Sequence, residues 1–267
     1  MRILSNLSIG QYYSVSSRVH DLDPRAKIVL VLVLMAATFA IQNFLGFLVL
    51  AFLLISIVAL GNLPLGWVLR SVKPLLYIII FSFIIHLLFT GGETFIKIGF
   101  LNITKEGVKN GLLISLRLIL LVSGTSVLTF TTTPIELTDG LEYLLKPFAK
   151  LKVPVHELAM MMTIALRFIP TLLLETDRLM KAQMARGADF ESGNFVKRAK
   201  SFLPLLIPLF ISAFRRADEL ALAMESRCYR GGRGRSRLRK LRMGPRDWIQ
   251  TAVVVVLLAG VVFIGRL

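Results

Sequence analysis

Five apolar runs, at 26–41, 44–60, 74–89, 107–130 and 248–265, contain no aspartate or glutamate, and this constrains the fold more than any other feature. A soluble chain of 267 residues has no core large enough to hide so many apolar side chains. Hydrophobic residues make up 55% and charged residues only 18%, so the reading is an all-α integral membrane protein with about five transmembrane helices. Several runs hold only about 16–18 apolar residues, at or below the length that crosses a hydrocarbon layer of about 30 Å. The first two are therefore expected to form a tight helical hairpin turning at Gln42 and Asn43, with local thinning of the bilayer.

The basic residues orient these runs. Arg2, Arg18, Arg25 and Lys27 precede the first, and Arg70 and Lys73 separate the second from the third, which places both stretches and the N-terminus in the cytoplasm. The loop at 90–106 falls outside, where Lys97 and Lys105 sit near Glu93 and Glu106. The stretch through Val19 lacks the continuous apolar core of a secretory signal, so the chain is expected to begin as mature protein. Three regions follow: a membrane domain at 1–130, cytoplasmic helices at 131–247 and a last transmembrane helix at 248–267.

The segment 131–247 reads as helical without a stretch long enough to span. One pattern starts at Pro154, is interrupted by Pro170 and stops at Gly187. Leu172, Thr176, Leu179, Met180, Gln183 and Met184 share one side, with Glu175, Asp177, Arg178 and Lys181 mostly on the other. A second pattern starts near Phe195, passes Pro204 and Pro208 and reaches Arg227. Its apolar residues from Phe210 to Met224 recur at steps of three and four, and Arg215, Arg216, Asp218, Glu219 and Glu225 point elsewhere. Both are expected to be long amphipathic cytoplasmic helices.

Their endings are alike: Met184-Ala185-Arg186-Gly187 closes the first and Met224-Glu225-Ser226-Arg227-Cys228 the second. Each places an arginine where its cation meets the partial negative charge of a helix C-terminus. Either one alone is an ordinary C-terminal arginine; the pair points to two docking tips. An arginine fork makes strong charge-assisted bonds to carboxylates, so each tip suits an acidic groove on a partner.

These two Ala-Arg-Gly-type endings resemble those of the transmembrane coupling subunits of energy-coupling factor (ECF) importers, the EcfT/CbiQ-like family. The opening residues agree: Gly10-Gln11-Tyr12, Ser17, His20 and Leu22-Asp23-Pro24-Arg25-Ala26-Lys27 are similar to that family's start. Physically, Asp23 can cap the first membrane helix, Pro24 fits its first turn, and Arg25 with Lys27 anchors it at the cytoplasmic interface. The resemblance covers almost the whole chain in order of elements.

It implies a scaffold in a prokaryotic plasma membrane, without a cofactor, that holds one small membrane substrate-binding subunit and two ATP-binding-cassette ATPase subunits. Carried over residue by residue, Ala185, Arg186 and Gly187 form one ATPase-coupling tip and Ser226, Arg227 and Cys228 the other. The second tip departs from the pattern at Ser226 and Cys228. Cys228 lacks glycine's easy left-handed exit, which the following Tyr229-Arg230-Gly231-Gly232 is expected to supply. The cargo, a vitamin or a transition-metal ion such as cobalt or nickel, would belong to the substrate-binding subunit.

Other residues admit plainer roles. Arg117, inside the fourth run, suits snorkelling or pairing with carbonyls as well as a transport role. His86 reads as a hydrogen-bonded interface residue, because no carboxylate or cysteine stands at metal-ligand spacing from it. Met160, Met161 and Met162 suit either an adaptable partner surface or ordinary core filling. The cluster Arg227, Arg230, Arg233, Arg235, Arg237, Arg239, Lys240, Arg242 and Arg246 runs directly into Trp248 and the last apolar run, so it reads as a juxtamembrane clamp on anionic headgroups rather than a nucleic-acid site.

Enzymatic readings lack their motifs: there is no phosphate-binding Gly-x-x-x-x-Gly-Lys-Ser/Thr loop, no His-Glu-x-x-His and no Gly-x-Ser-x-Gly. A self-sufficient ion-coupled secondary transporter is the competing reading. It would ordinarily carry internal repeats and intramembrane carboxylates, which these runs do not offer.

Overall fold

Asp23 and Pro24 start the first membrane helix as their chemistry dictates. In the computed structural model, which describes residues 12–98, 101–188, 190, 200–231, 241 and 243–266, the Asp23 carboxylate accepts from the Arg25 N–H at 2.9 Å, and helix α1 runs Pro24–Ala40. The chain turns at 41–43 as expected and enters α2, Phe44–Leu60. Each helix has 17 residues, about 26 Å at about 1.5 Å per residue, short of the usual hydrocarbon thickness. The Gln42 and Asn43 N–H groups donate to the Gly265 carbonyl at 3.1 and 3.3 Å, so the hairpin turn is tied to the end of the last helix.

The third run is longer than expected. Helix α3, Leu65–Val72, passes through a short 3-10 turn, Lys73–Leu75, into α4, Leu76–Phe89, giving one continuous helical stretch Leu65–Phe89. Pro74 does not begin it, because the 3-10 turn accommodates a residue without an N–H. Arg70 and Lys73 consequently lie on the helix rather than in a loop before it. The expected loop at 90–106 contains a two-stranded antiparallel hairpin, β1 (Thr94–Ile98) with β2 (Leu101–Thr104). It leads directly into α5, Lys105–Thr131, whose first turn is capped by Thr104 accepting from the Gly107 N–H at 3.0 Å.

Helix α6, Pro134–Leu145, opens with a reciprocal capping box: the Thr133 N–H donates to Glu136 at 3.1 Å and the Glu136 N–H to the Thr133 hydroxyl at 3.3 Å. A 3-10 stretch, Lys146–Leu151, and a left-handed Lys152 lead to α7, Val155–Ala185. Helix α8 spans Leu203–Ser226 and α9 spans Pro245–Arg266.

The described residues form two compact units, one made of 12–144 with 241 and 243–266 and the other of those within 145–231. Within the first, α1, α2, the α3–α4 stretch, α5 and α9 run alternately up and down. The 41–43 turn meets Gly265 at one end, and the Lys27 ammonium reaches the Thr131 carbonyl at the other. Leu34, Ile41, Phe47, Leu50, Val58, Leu120, Phe130 and Leu258 form its core. Close approach needs glycine: a Cβ on Gly46 would stand 2.7 Å from the Cα of Gly265.

What lies outside that core identifies the solvent. Phe52 is 72% exposed, Tyr77 81% and Phe263 70%, and these belong to helices apolar on every side. Such helices are stable only in hydrocarbon. This is an all-α membrane bundle with a short hairpin inserted between two of its helices. By length and composition four helices can cross a membrane: Leu65–Phe89, Lys105–Thr131, Pro245–Arg266 and, in the second unit, Val155–Ala185. The expectation that nothing within 131–247 is long enough does not hold for α7, since Pro170 sits inside the helix without interrupting it.

Candidate coupling site

Helices α7 and α8 pack against each other in the second unit, and a polar clamp joins them. The Glu175 carboxylate accepts from the Arg216 guanidinium at 2.7 Å and, through its other oxygen, from the Ser212 hydroxyl. Periodicity sets Glu175 and Arg216 off the apolar side of their helices and so does not reveal this contact. The signal lay in the pairing of opposite charges across two helices, with Ser212 and Arg216 one turn apart. The Phe190 and Phe202 rings meet at a tilt, 5.4 Å between centres, in the same unit.

The two helix ends have one geometry. Arg186 (φ −89°, ψ 7°) and Arg227 (φ −91°, ψ 14°) occupy the C-cap of α7 and α8. The Gly187 and Cys228 N–H groups donate to Met184 and Glu225 at 2.9 and 2.8 Å. One residue on, the Ala188 and Tyr229 N–H groups donate to Gln183 and Met224, each at 3.0 Å. Both ends are Schellman motifs, which satisfy carbonyls left open by the helix.

Cys228 corrects the expectation for the second tip. It takes the left-handed turn itself at φ +56°, matching Gly187 at φ +86°, and Gly231 adds a further left-handed residue at φ +81° rather than replacing it. Ala185, Arg186 and Gly187 are exposed, as are Ser226, Arg227 and Cys228. Neither Arg186 nor Arg227 enters an ion pair among the described residues. Arg186 lies eleven residues beyond Glu175, and Arg227 eleven beyond Arg216. Each tip therefore stands about 16 Å of helix away from the same clamp.

The opening motif builds a latch in the membrane unit. Ser17 Oγ and His20 Nδ1 share a hydrogen bond of 2.6 Å, and His20 Nε2 donates to the Tyr13 carbonyl at 3.0 Å. Lys27, expected to anchor α1 at the interface, turns inward. It is 5% exposed, and its ammonium donates to the His20 and Thr131 carbonyls, each at 2.8 Å, tying α1 to the end of α5. Arg25 also turns inward, stacking 3.4 Å over the Tyr143 ring and donating to the Leu241 carbonyl at 3.0 Å.

Arg117 pairs with a carbonyl, donating to Ile41 at 3.0 Å, with the Phe39 and Phe47 rings 5.8 and 5.7 Å from its guanidinium carbon. It thus braces the α1–α2 turn. His86 Nδ1 bonds the Ser82 carbonyl of its own helix at 2.8 Å. Among the described residues no group of three or more His, Cys, Asp or Glu is placed to hold a metal ion. Met161 and Met162 are exposed rather than core residues. The residues Arg2, Gly10 and Gln11, the helix start near Phe195, and Arg233, Arg235, Arg237, Arg239, Lys240 and Arg242 lie outside the described residues.

Comparison with known proteins shows the family. Residues 15–238 match the family CbiQ, described as cobalt transport protein. The energy-coupling factor transporter transmembrane protein EcfT of Acidaminococcus fermentans is 54% identical over 262 residues, covering 98% of each chain. The protein of the same name from Thermanaerovibrio acidaminovorans is 49% identical over 266 residues, 100% of this chain and 99% of its own. That of Bacillus subtilis is 46% identical over 267 residues, 99% of this chain and all of its own. With a family match over most of its length and such relatives along all of it, this chain belongs to the CbiQ family as a multi-pass, non-catalytic transmembrane component of energy-coupling factor transporters.

Proposed function

We propose that this chain is the scaffold of an ATP-driven importer, in which Arg186 and Arg227 dock into acidic grooves on two ATP-binding-cassette ATPase subunits. In this reading both tips and the N-terminus face the cytoplasm. When ATP draws the two ATPases together the tips must move, and α7 and α8 carry that motion to a small membrane subunit that binds a vitamin or a transition-metal ion. The observation that supports this reading best is the duplication. Two exposed arginines end two helices in the same Schellman geometry, each eleven residues from one shared clamp.

The electrostatics favour carboxylates as partners. An exposed guanidinium at a helix C-terminus is held in place by the helix dipole, and its donors remain free for a bidentate bond. Charge reversal at both tips, Arg186→Glu with Arg227→Glu, should abolish uptake and release the ATPases from the purified complex. Uptake at the wild-type rate by that double variant would refute the proposal.

A further inference from the structure

Helices α1, α2, α5 and α9 of the membrane unit leave between them a cavity of about 400 Å³. Its walls are aliphatic, with Leu30, Leu34, Ile57, Leu128 and Val254 among them. Among the described residues the charged groups lining it are two cations, Arg18 and Lys27, which stand at the end of the bundle where α1 begins. Leu60, Val253 and Leu257 on its rim are 58, 51 and 48% exposed, so it opens sideways onto the face that meets hydrocarbon.

Lys27 gives that end its chemistry. An ammonium has three hydrogens, and two of them go to the His20 and Thr131 carbonyls. Asp21, Asp23 and Glu136 lie within electrostatic reach, yet none of the ion pairs among the described residues includes Lys27 or Arg18. Asp23 is occupied with capping α1, and Glu136 with capping α6. Lys27 keeps one ammonium hydrogen beyond those two bonds, and it and the exposed Arg18 both line the apolar slot.

We propose that this cavity holds an acyl chain of an anionic phospholipid from the adjoining leaflet, with the headgroup phosphate bound by Arg18 and Lys27. Basic pockets between transmembrane helices at headgroup depth are suited to such lipids. A free phosphate would leave the aliphatic walls unfilled.

The test uses the full-length chain purified with its copurifying partners and placed in phosphatidylcholine vesicles. A trace of spin-labelled phosphatidylglycerol or spin-labelled phosphatidylcholine is added, and the immobilised fraction of each is read by electron paramagnetic resonance. The wild type should retain phosphatidylglycerol in preference. Arg18→Gln should cut that preference about fivefold, as expected for one basic residue at the interface. Val253→Trp, which fills the cavity and leaves both cations in place, should release the retained lipid. Lys27→Met also removes two structural hydrogen bonds, so the first two variants carry the test. Equal retention of the two lipids by the wild type would overturn the proposal. So would an unchanged preference in Arg18→Gln, retention by Val253→Trp, or displacement of the lipid by excess inorganic phosphate.

Discussion

Breaking the clamp between α7 and α8 should loosen both tips at once. Glu175 is 23% and Arg216 33% exposed in their side chains, so this pair is neither a solvated surface bridge nor a fully buried one. Exposed ion pairs contribute about 0.2–1 kcal/mol, and charge-assisted hydrogen bonds about 1.5–3 kcal/mol. Discounted for screening, the coupling between Glu175 and Arg216 should be about 1–2 kcal/mol. Thermal unfolding of Glu175→Ala, Arg216→Ala and the double variant gives this value as a double-mutant cycle. At about 2–4 °C per kcal/mol for a chain of this size, the shifts are measurable.

The same variants should change the arms mechanically. Each tip lies about 16 Å of helix from the clamp, so about 10° of freedom there moves a tip by about 3 Å. Spin labels at positions 185 and 226, in a Cys228→Ser background, should show a distance distribution broadened by about that amount in Glu175→Ala. Additive single effects, together with an unchanged distribution, would refute the claim that the clamp sets the spacing of the tips.

Further outcomes follow from the backbone. Gly187→Ala forces a side chain into the left-handed region at φ +86° and should cost about 1–2 kcal/mol at the first tip; Cys228→Gly, relieving φ +56° at the second, should be neutral or slightly stabilising in the same unfolding assay. Gly46→Ala drives a Cβ to within 2.7 Å of the Gly265 backbone and should lower stability by about 1–3 kcal/mol. Gly124→Ala meets only the Leu34 methyl end at 2.6 Å, which can rotate away, and should cost less in the same unfolding assay.

Much of the membrane bundle was legible because hydrocarbon imposes a length and an all-round apolarity that a sequence displays directly. The Asp23-Pro24 start and the turn at Gln42 and Asn43 were equally local, each set by one or two residues. The prolines mislead in the sequence, where Pro74 opens an apolar run and Pro170 interrupts a helical pattern, yet the backbone absorbs both within helical stretches. The hairpin at Thr94–Ile98 and Leu101–Thr104 is too short to stand out beside the helices it joins.

The likeness of the two helix ends could be read from their residues. Their shared turn could not, since Cys228 adopts a conformation that its side chain disfavours. The clamp was hidden for a different reason: Glu175 and Arg216 are 41 positions apart, and the face each helix presents to the other is a tertiary fact. The inward turn of Lys27 was likewise invisible, because a lysine at a helix start suits the interface until two carbonyls are brought within its reach.

The most direct measurement places a photo-activated cross-linking residue at position 185 in one variant and at 226 in another, within intact membranes. The account predicts that each variant, on illumination, becomes joined to an ATPase subunit, and that Arg186→Glu or Arg227→Glu in the matching variant suppresses the product. Cross-links confined to this chain itself, or no product at either position, would contradict it.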